Sequence, residues 1–263
     1  MGNVCASDNK HSKGDDKPSQ QPGAKPARVP KPVDPMPFET HFGAAIVPAS
    51  LYPQHLRVYA PKQPIDAGTF EERFLGVREV SRDGNCFYAA FIYGASEFIA
   101  ANPADARSDA IVDAFRSADD AVRVRHRVDL VPLFALFQTA RDGPAALSAA
   151  LPAFIQGGLY DAIKFLRLAL ADRLRAHADD VTPFLPDAYA GDLEGFLEGE
   201  VLRMDVSADS LQIYHLSALF PFGVRVTRVD GLREESFPDG LAPDAPAVRL
   251  LHTPGHFELL YAR

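Results

Sequence analysis

Late in this chain the hydrophobic spacing changes period, and that change restricts the fold more than any other feature. From Cys86 to about Leu219 apolar residues recur at helical intervals, whereas from Val224 onward they alternate. The clearest helix runs from Tyr160 to about His177, with Ile163, Leu166, Leu170 and Leu174 on one side and Lys164, Asp172 and Arg175 on the other. Arg167 falls near its apolar side and must snorkel or find a partner. Other helices are expected over Ala104–Thr139 (interrupted by Pro132), Ala145–Ile155, Asp192–Leu202 and Ser210–Leu219, the last capped from Ser207-Ala208-Asp209. Strands are expected at Gly76–Val80, Val224–Val229, Val248–His252 and His256–Tyr261. Thr253-Pro254-Gly255 joins the last two, and Pro then Gly suits the central positions of a type II turn. Helices first and strands late predict an α/β fold of the α+β kind, a small and mainly antiparallel sheet flanked by helices.

Residues 1–37 differ in character, being rich in Pro, Lys, Ser and Gln with few apolar side chains, so this tail is expected to be disordered. The globular domain is expected over 38–263. Met1-Gly2 followed by small or neutral residues resembles an N-myristoylation signal, although Ala6 stands where Ser or Thr is usual. Cys5 offers a palmitoylation site, and Lys10, Lys13 and Lys17 suit anionic headgroups, so acylation at Gly2 and Cys5 is expected to reach a membrane surface. The competing reading is a chance Met-Gly on an ordinary flexible tail.

A net charge of −8 argues against a nucleic-acid partner. Two cysteines far apart, without zinc-ligand spacing, give neither a disulfide scaffold nor a Cys-rich metal site, and no cofactor is expected. The consistent compartment is reducing and cytoplasmic, with the tail anchoring the chain to the cytoplasmic face of a membrane if it is acylated.

One of those cysteines sits in Asp83-Gly84-Asn85-Cys86-Phe87-Tyr88, where turn chemistry runs into a helix. Asn85 is the expected N-cap and Cys86 a first-turn residue, where the helix dipole and unpaired N–H groups favour the thiolate. A lone cysteine is more often a small buried hydrophobe, so this setting needs a partner elsewhere. On the last strand His256 and Glu258 share a face while Phe257 and Leu259 take the other. An imidazole that accepts the thiol proton and a carboxylate that orients it are what a cysteine hydrolase requires. His252, His215 and His126 are rival bases, and His177 and His55 read as surface residues.

Ser81-Arg82-Asp83-Gly84-Asn85-Cys86-Phe87-Tyr88 together with Gly255-His256-Phe257-Glu258-Leu259-Leu260-Tyr261 resembles the two catalytic motifs of the otubains, ubiquitin-specific cysteine proteases of the ovarian-tumour (OTU) class. Phe165-Leu166-Arg167-Leu168 is similar to that family's central helix, and the resemblance runs from about Gly76 to Arg263. It implies a papain-like OTU fold in which Cys86 is the nucleophile, His256 the general base, and Asp83 helps shape an oxyanion loop. Two departures stand out: Ala89 replaces the family's usual Arg, and Glu258 replaces Asp or Asn. The extra methylene of Glu258 shifts its carboxylate by roughly a bond length, the scale at which positioning matters.

The resemblance implies a deubiquitinase that cleaves the isopeptide bond after ubiquitin's terminal glycine through a Cys86 thioester. Its expected partners are ubiquitin or polyubiquitin chains and ubiquitin-conjugating enzymes. Two alternatives stay open: a catalytically weak or silent ubiquitin-binding protein, and a protease for a ubiquitin-like modifier.

Overall fold

Small residues decide how the central helix meets the sheet. Ala89, Ala90 and Ala95 are fully buried, and a Cβ added to Gly94 would collide with the Val248 side chain. The structure, a computed structural model, describes Val47–Pro48, residues 67–123 and residues 125–263. The tail 1–37, with Gly2 and Cys5, lies outside the described residues, as does His55.

In chain order the elements are β1 (Val47–Pro48), α1 (Ala67–Arg73), β2 (Phe74–Arg78), α2 (Cys86–Ala101), α3 (Ala106–Arg123), α4 (Val131–Ala140), α5 (Pro144–Gly157), α6 (Leu159–Ala176) and α7 (Ala178–Val181). There follow α8 (Leu193–Phe196), which runs into a π turn at Leu197–Val201, then α9 (Ser210–Ser217), β3 (Gly223–Arg228), β4 (Arg233–Phe237), β5 (Ala247–Thr253) and β6 (His256–Ala262). Among the described residues the strands form one sheet in the order β1-β2-β6-β5-β3-β4, antiparallel throughout except for β3 beside β5. No helix of the described residues is long and apolar enough to cross a membrane.

Alternation along the strands splits the apolar residues between two layers. Leu250, Phe257 and Leu259 join the main core under the helices, whereas Leu251 and Leu260 pack with Phe70, Phe74 and Val77 on the side that α1 covers. Phe115 of α3 lies at the centre of the main core. Its ring stacks on Phe220 at 4.3 Å and meets Phe137 edge-on at 5.1 Å and Phe165 at 6.2 Å. Ring contacts of this kind hold α3, α4 and α6 against the segment that feeds β3.

Two details depart from the sequence expectation. The long helical stretch breaks between Arg123 and Val131, and Pro132 lies in the first turn of α4, where its missing N–H has no helical acceptor to lose. The strand β4 has the exposed, polar sequence Arg-Glu-Glu-Ser-Phe and is an edge strand held by pairing with β3. Asp209, by contrast, caps α9 as expected, its Oδ1 accepting from the Gln212 N–H at 3.0 Å.

Candidate active site

The turn before α2 is built by two side chains and one glycine. Asp83 Oδ1 accepts from the backbone N–H of Asn85 at 2.8 Å, closing the loop that delivers Cys86. Gly84 has φ +83°, and a Cβ there would overlap the backbone of Asp205 and Val206, so only glycine fits. Asn85 occupies the N-cap position, yet its side chain makes no cap bond. Its Oδ1 instead accepts from Arg167 Nη2 at 2.9 Å.

Cys86 thus opens α2 with its thiol 1% exposed. Backbone N–H groups of Phe257 and of Phe87 point at the sulfur. Phe257 directly follows His256, so the thiol meets β6 at its first residues, and the Phe87 and Phe257 rings pack edge-on at 5.8 Å behind it. The expected activated thiolate is not what the resting structure holds. Burial outweighs the helix mouth and both N–H groups and pushes the thiol up to about 11, with Asp83 adding to the rise and Arg82 opposing it.

His256 follows a turn in which Gly255 has φ +71°, as a type II turn demands at that position. His256 is 1% exposed and Glu258 2%, and Nε2 of the imidazole lies 3.6 Å from Glu258 Oε1. At that separation the two groups face each other without forming a hydrogen bond. Neither ring nitrogen of His256 makes a hydrogen bond among the described residues, the Cys86 thiol included. The carboxylate therefore sits on the Nε2 side and leaves Nδ1 as the nitrogen that can turn to the sulfur.

The rival histidines stand elsewhere. His252 pairs with Phe257 across β5 and β6, on the opposite face from His256, and its ring lies 4.7 Å from that of Phe257. Burial and the nearby Arg228 lower its pKa. His215 of α9 sits 6.2 Å, ring to ring, from His177 at the end of α6, and its pKa falls through burial and Arg173. His126 lies between α3 and α4, in an open pocket with Asp129 and Asp161. Of the four catalytic candidates, Asp83 and Cys86 lie at the turn before α2 and His256 and Glu258 at the start of β6, and the two halves meet where the Phe257 N–H faces the Cys86 sulfur. Sequence reading did not anticipate that the segment 201–207 packs on Gly84, and the demand of Arg167 for a partner was the signal that pointed there.

A buried thiol at a helix mouth, meeting a strand that starts with an imidazole and a carboxylate, is the arrangement of the cysteine peptidases. Their general-base geometry is often loose before substrate binds. A family model described as Peptidase C65 Otubain matches residues 51–262, and the chain belongs to the otubain family. It is 27% identical over 206 residues to the ubiquitin thioesterase OTUB2 of Homo sapiens, covering 73% of this chain and 83% of that protein. It is 23% identical over 219 residues to the OVARIAN TUMOR DOMAIN-containing deubiquitinating enzyme 1 of Arabidopsis thaliana, covering 73% and 72%. The fold matches ceOTUB1 in its complex with ubiquitin aldehyde and UBC13~Ub, with a TM-score of 0.63 at 20% identity over 84% of this chain and 93% of that one.

Proposed function

We propose that this otubain is a deubiquitinase that cleaves the isopeptide bond after ubiquitin's terminal glycine by acyl transfer to Cys86. One observation carries the reading: the N–H of Phe257, next to His256, points at the sulfur of Cys86. The start of α2 and the start of β6, which carry the proposed nucleophile and base, thereby meet although they lie far apart in sequence. In the reaction His256 Nδ1 takes the thiol proton and the sulfur attacks the glycine carbonyl. The imidazolium then passes that proton to the departing lysine amine, leaving a thioester. Water adds to the thioester while the imidazole accepts its proton, and the carboxylic acid departs as the thiol re-forms. Asp83 acts by shaping the loop whose backbone N–H groups, that of Cys86 among them, face the developing oxyanion. Glu258 holds the ring and offsets the charge of the imidazolium.

The relatives named above are called deubiquitinating enzymes or ubiquitin thioesterases, and the ceOTUB1 complex contains ubiquitin aldehyde and UBC13~Ub. Ubiquitin and ubiquitin-conjugating enzymes are accordingly the proposed partners. Incubation with a ubiquitin carrying a C-terminal electrophile tests the reading: an adduct lost in Cys86→Ser supports it, and its absence from the wild-type chain refutes it. The raised thiol and unbonded imidazole favour one second reading, a ubiquitin-binding otubain without turnover, for which binding without adduct is the signature. Adduct formation only with another modifier's electrophile assigns the chain to that modifier. Acylation at Gly2 or Cys5 rests on the motif alone, and the intact mass of the protein tests it.

A further inference from the structure

Among the described residues Arg167 is the largest fully buried side chain, 1% exposed in the middle of α6 among Phe165, Leu166 and Leu170. None of its hydrogen bonds among the described residues goes to a carboxylate. Nη1 donates to the Val201 carbonyl at 2.8 Å, and Nη2 donates to the Gly84 carbonyl at 3.1 Å, Asn85 Oδ1 at 2.9 Å and the Val206 carbonyl at 2.8 Å. The guanidinium lies 4.2 Å from the centre of the Tyr88 ring, whose hydroxyl donates to Gln212 Oε1 at 2.7 Å. A buried cation is costly, and an apolar side chain of similar volume would fill the same space at less cost. Its acceptors show what the charge is used for.

Two of them, Gly84 and Asn85, directly precede Cys86. The other two, Val201 and Val206, bracket the segment that presses on Gly84. The π turn Leu197–Val201 ends at the first of these, with the Leu202 N–H donating to the Leu197 carbonyl at 2.8 Å. The segment then reaches the other half of the site, where Ser207 Oγ donates to the Gly255 carbonyl at 3.3 Å, one residue before His256. A single guanidinium therefore holds the turn that presents the thiol and the segment that touches the turn of the imidazole.

We infer that Arg167 is a positioning residue for catalysis: it fixes the peptide geometry at Gly84-Asn85-Cys86 and, through residues 201–207, the placement of that thiol relative to His256. The inference rests on the reading of Cys86 as nucleophile. Beyond holding the loop, the fixed positive charge lies in the field of Cys86, Tyr88, Asp83 and Asp205 and favours negative charge at the sulfur.

The test uses the full chain and a ubiquitin C-terminal fluorogenic amide, with rates referred to folded protein measured by thermal unfolding. Arg167→Lys keeps the charge but cannot fork to four acceptors, and Asn85→Ala severs one bond while leaving the guanidinium in place. Both are expected to lower kcat by about 10- to 100-fold with KM unchanged, the scale of a small misplacement of reacting groups. Arg167→Met should in addition move the pH profile of Cys86 alkylation to the alkaline side, which loss of packing alone does not do. Wild-type kcat in folded Arg167→Lys or in Asn85→Ala overturns the inference. A wild-type chain that forms no adduct with the ubiquitin electrophile overturns the nucleophile reading, and this inference with it.

Discussion

Cys86 in the free protein should be a slow thiol toward a small alkylating agent such as iodoacetamide. Burial pushes it up to about 11, whereas a free cysteine ionises near about 8.5. At about pH 8 the thiolate fraction is then roughly a thousandth instead of roughly a quarter, so alkylation should slow by roughly two orders of magnitude. Exclusion of reagent from a thiol only 1% exposed acts in the same direction. The rate is measured by mass spectrometry of the Cys86 peptide across a pH series, against a short unstructured cysteine peptide. A ubiquitin-derived electrophile should react faster than this penalty allows, because it delivers its carbonyl to the loop beside the imidazole. The sign for stability follows from the same shift. The folded state holds the thiol proton more tightly, so its contribution is complete below the ordinary value of 9.0 and is lost as pH rises toward about 11. Cys86→Ser should flatten unfolding free energy across that window. Alkylation at the rate of the model peptide, or a midpoint at or below about 8.5, refutes the claim that burial governs this thiol.

Gly84→Ala should both destabilise and inactivate: φ is +83° and the added Cβ overlaps the backbone of Asp205 and Val206. A loss of about 1–3 kcal/mol in denaturant unfolding and of probe labelling is expected, and an unchanged midpoint would contradict the packing. Glu258→Gln keeps shape and replaces the carboxyl group 3.6 Å from His256 Nε2. It should lower kcat by about 10- to 100-fold without unfolding the protein, and full turnover would remove Glu258 from the site. Asp209→Ala loses the cap on Gln212 and should cost about 1 kcal/mol, with Asp209→Asn close to wild type in the same urea titration.

Much of the local geometry of the candidate site was legible because its signals lie within a few residues. Asp83-Gly84-Asn85 turns and Cys86 starts a helix for reasons contained in six residues, and Asp209 caps α9 three residues ahead of its partner. Pro254-Gly255 makes the hairpin that delivers His256. The edge strand β4 was not legible, since its polar sequence carries no buried face and pairing with β3 alone makes it a strand. Nor was the parallel pairing of β3 with β5, which depends on where the chain between them returns.

The amino-acid sequence alone singled out the side chains proposed for the chemistry and determined which elements present them, because helix starts, tight turns and strand faces depend on neighbours a few residues away. Only the tertiary structure decided the condition of those groups. The burial that raises the Cys86 thiol, the 3.6 Å gap between His256 and Glu258, and the four acceptors gathered around Arg167 come from segments far apart in the chain. Desolvation and buried hydrogen bonding act through space, and spacing along a sequence does not record distances across a core.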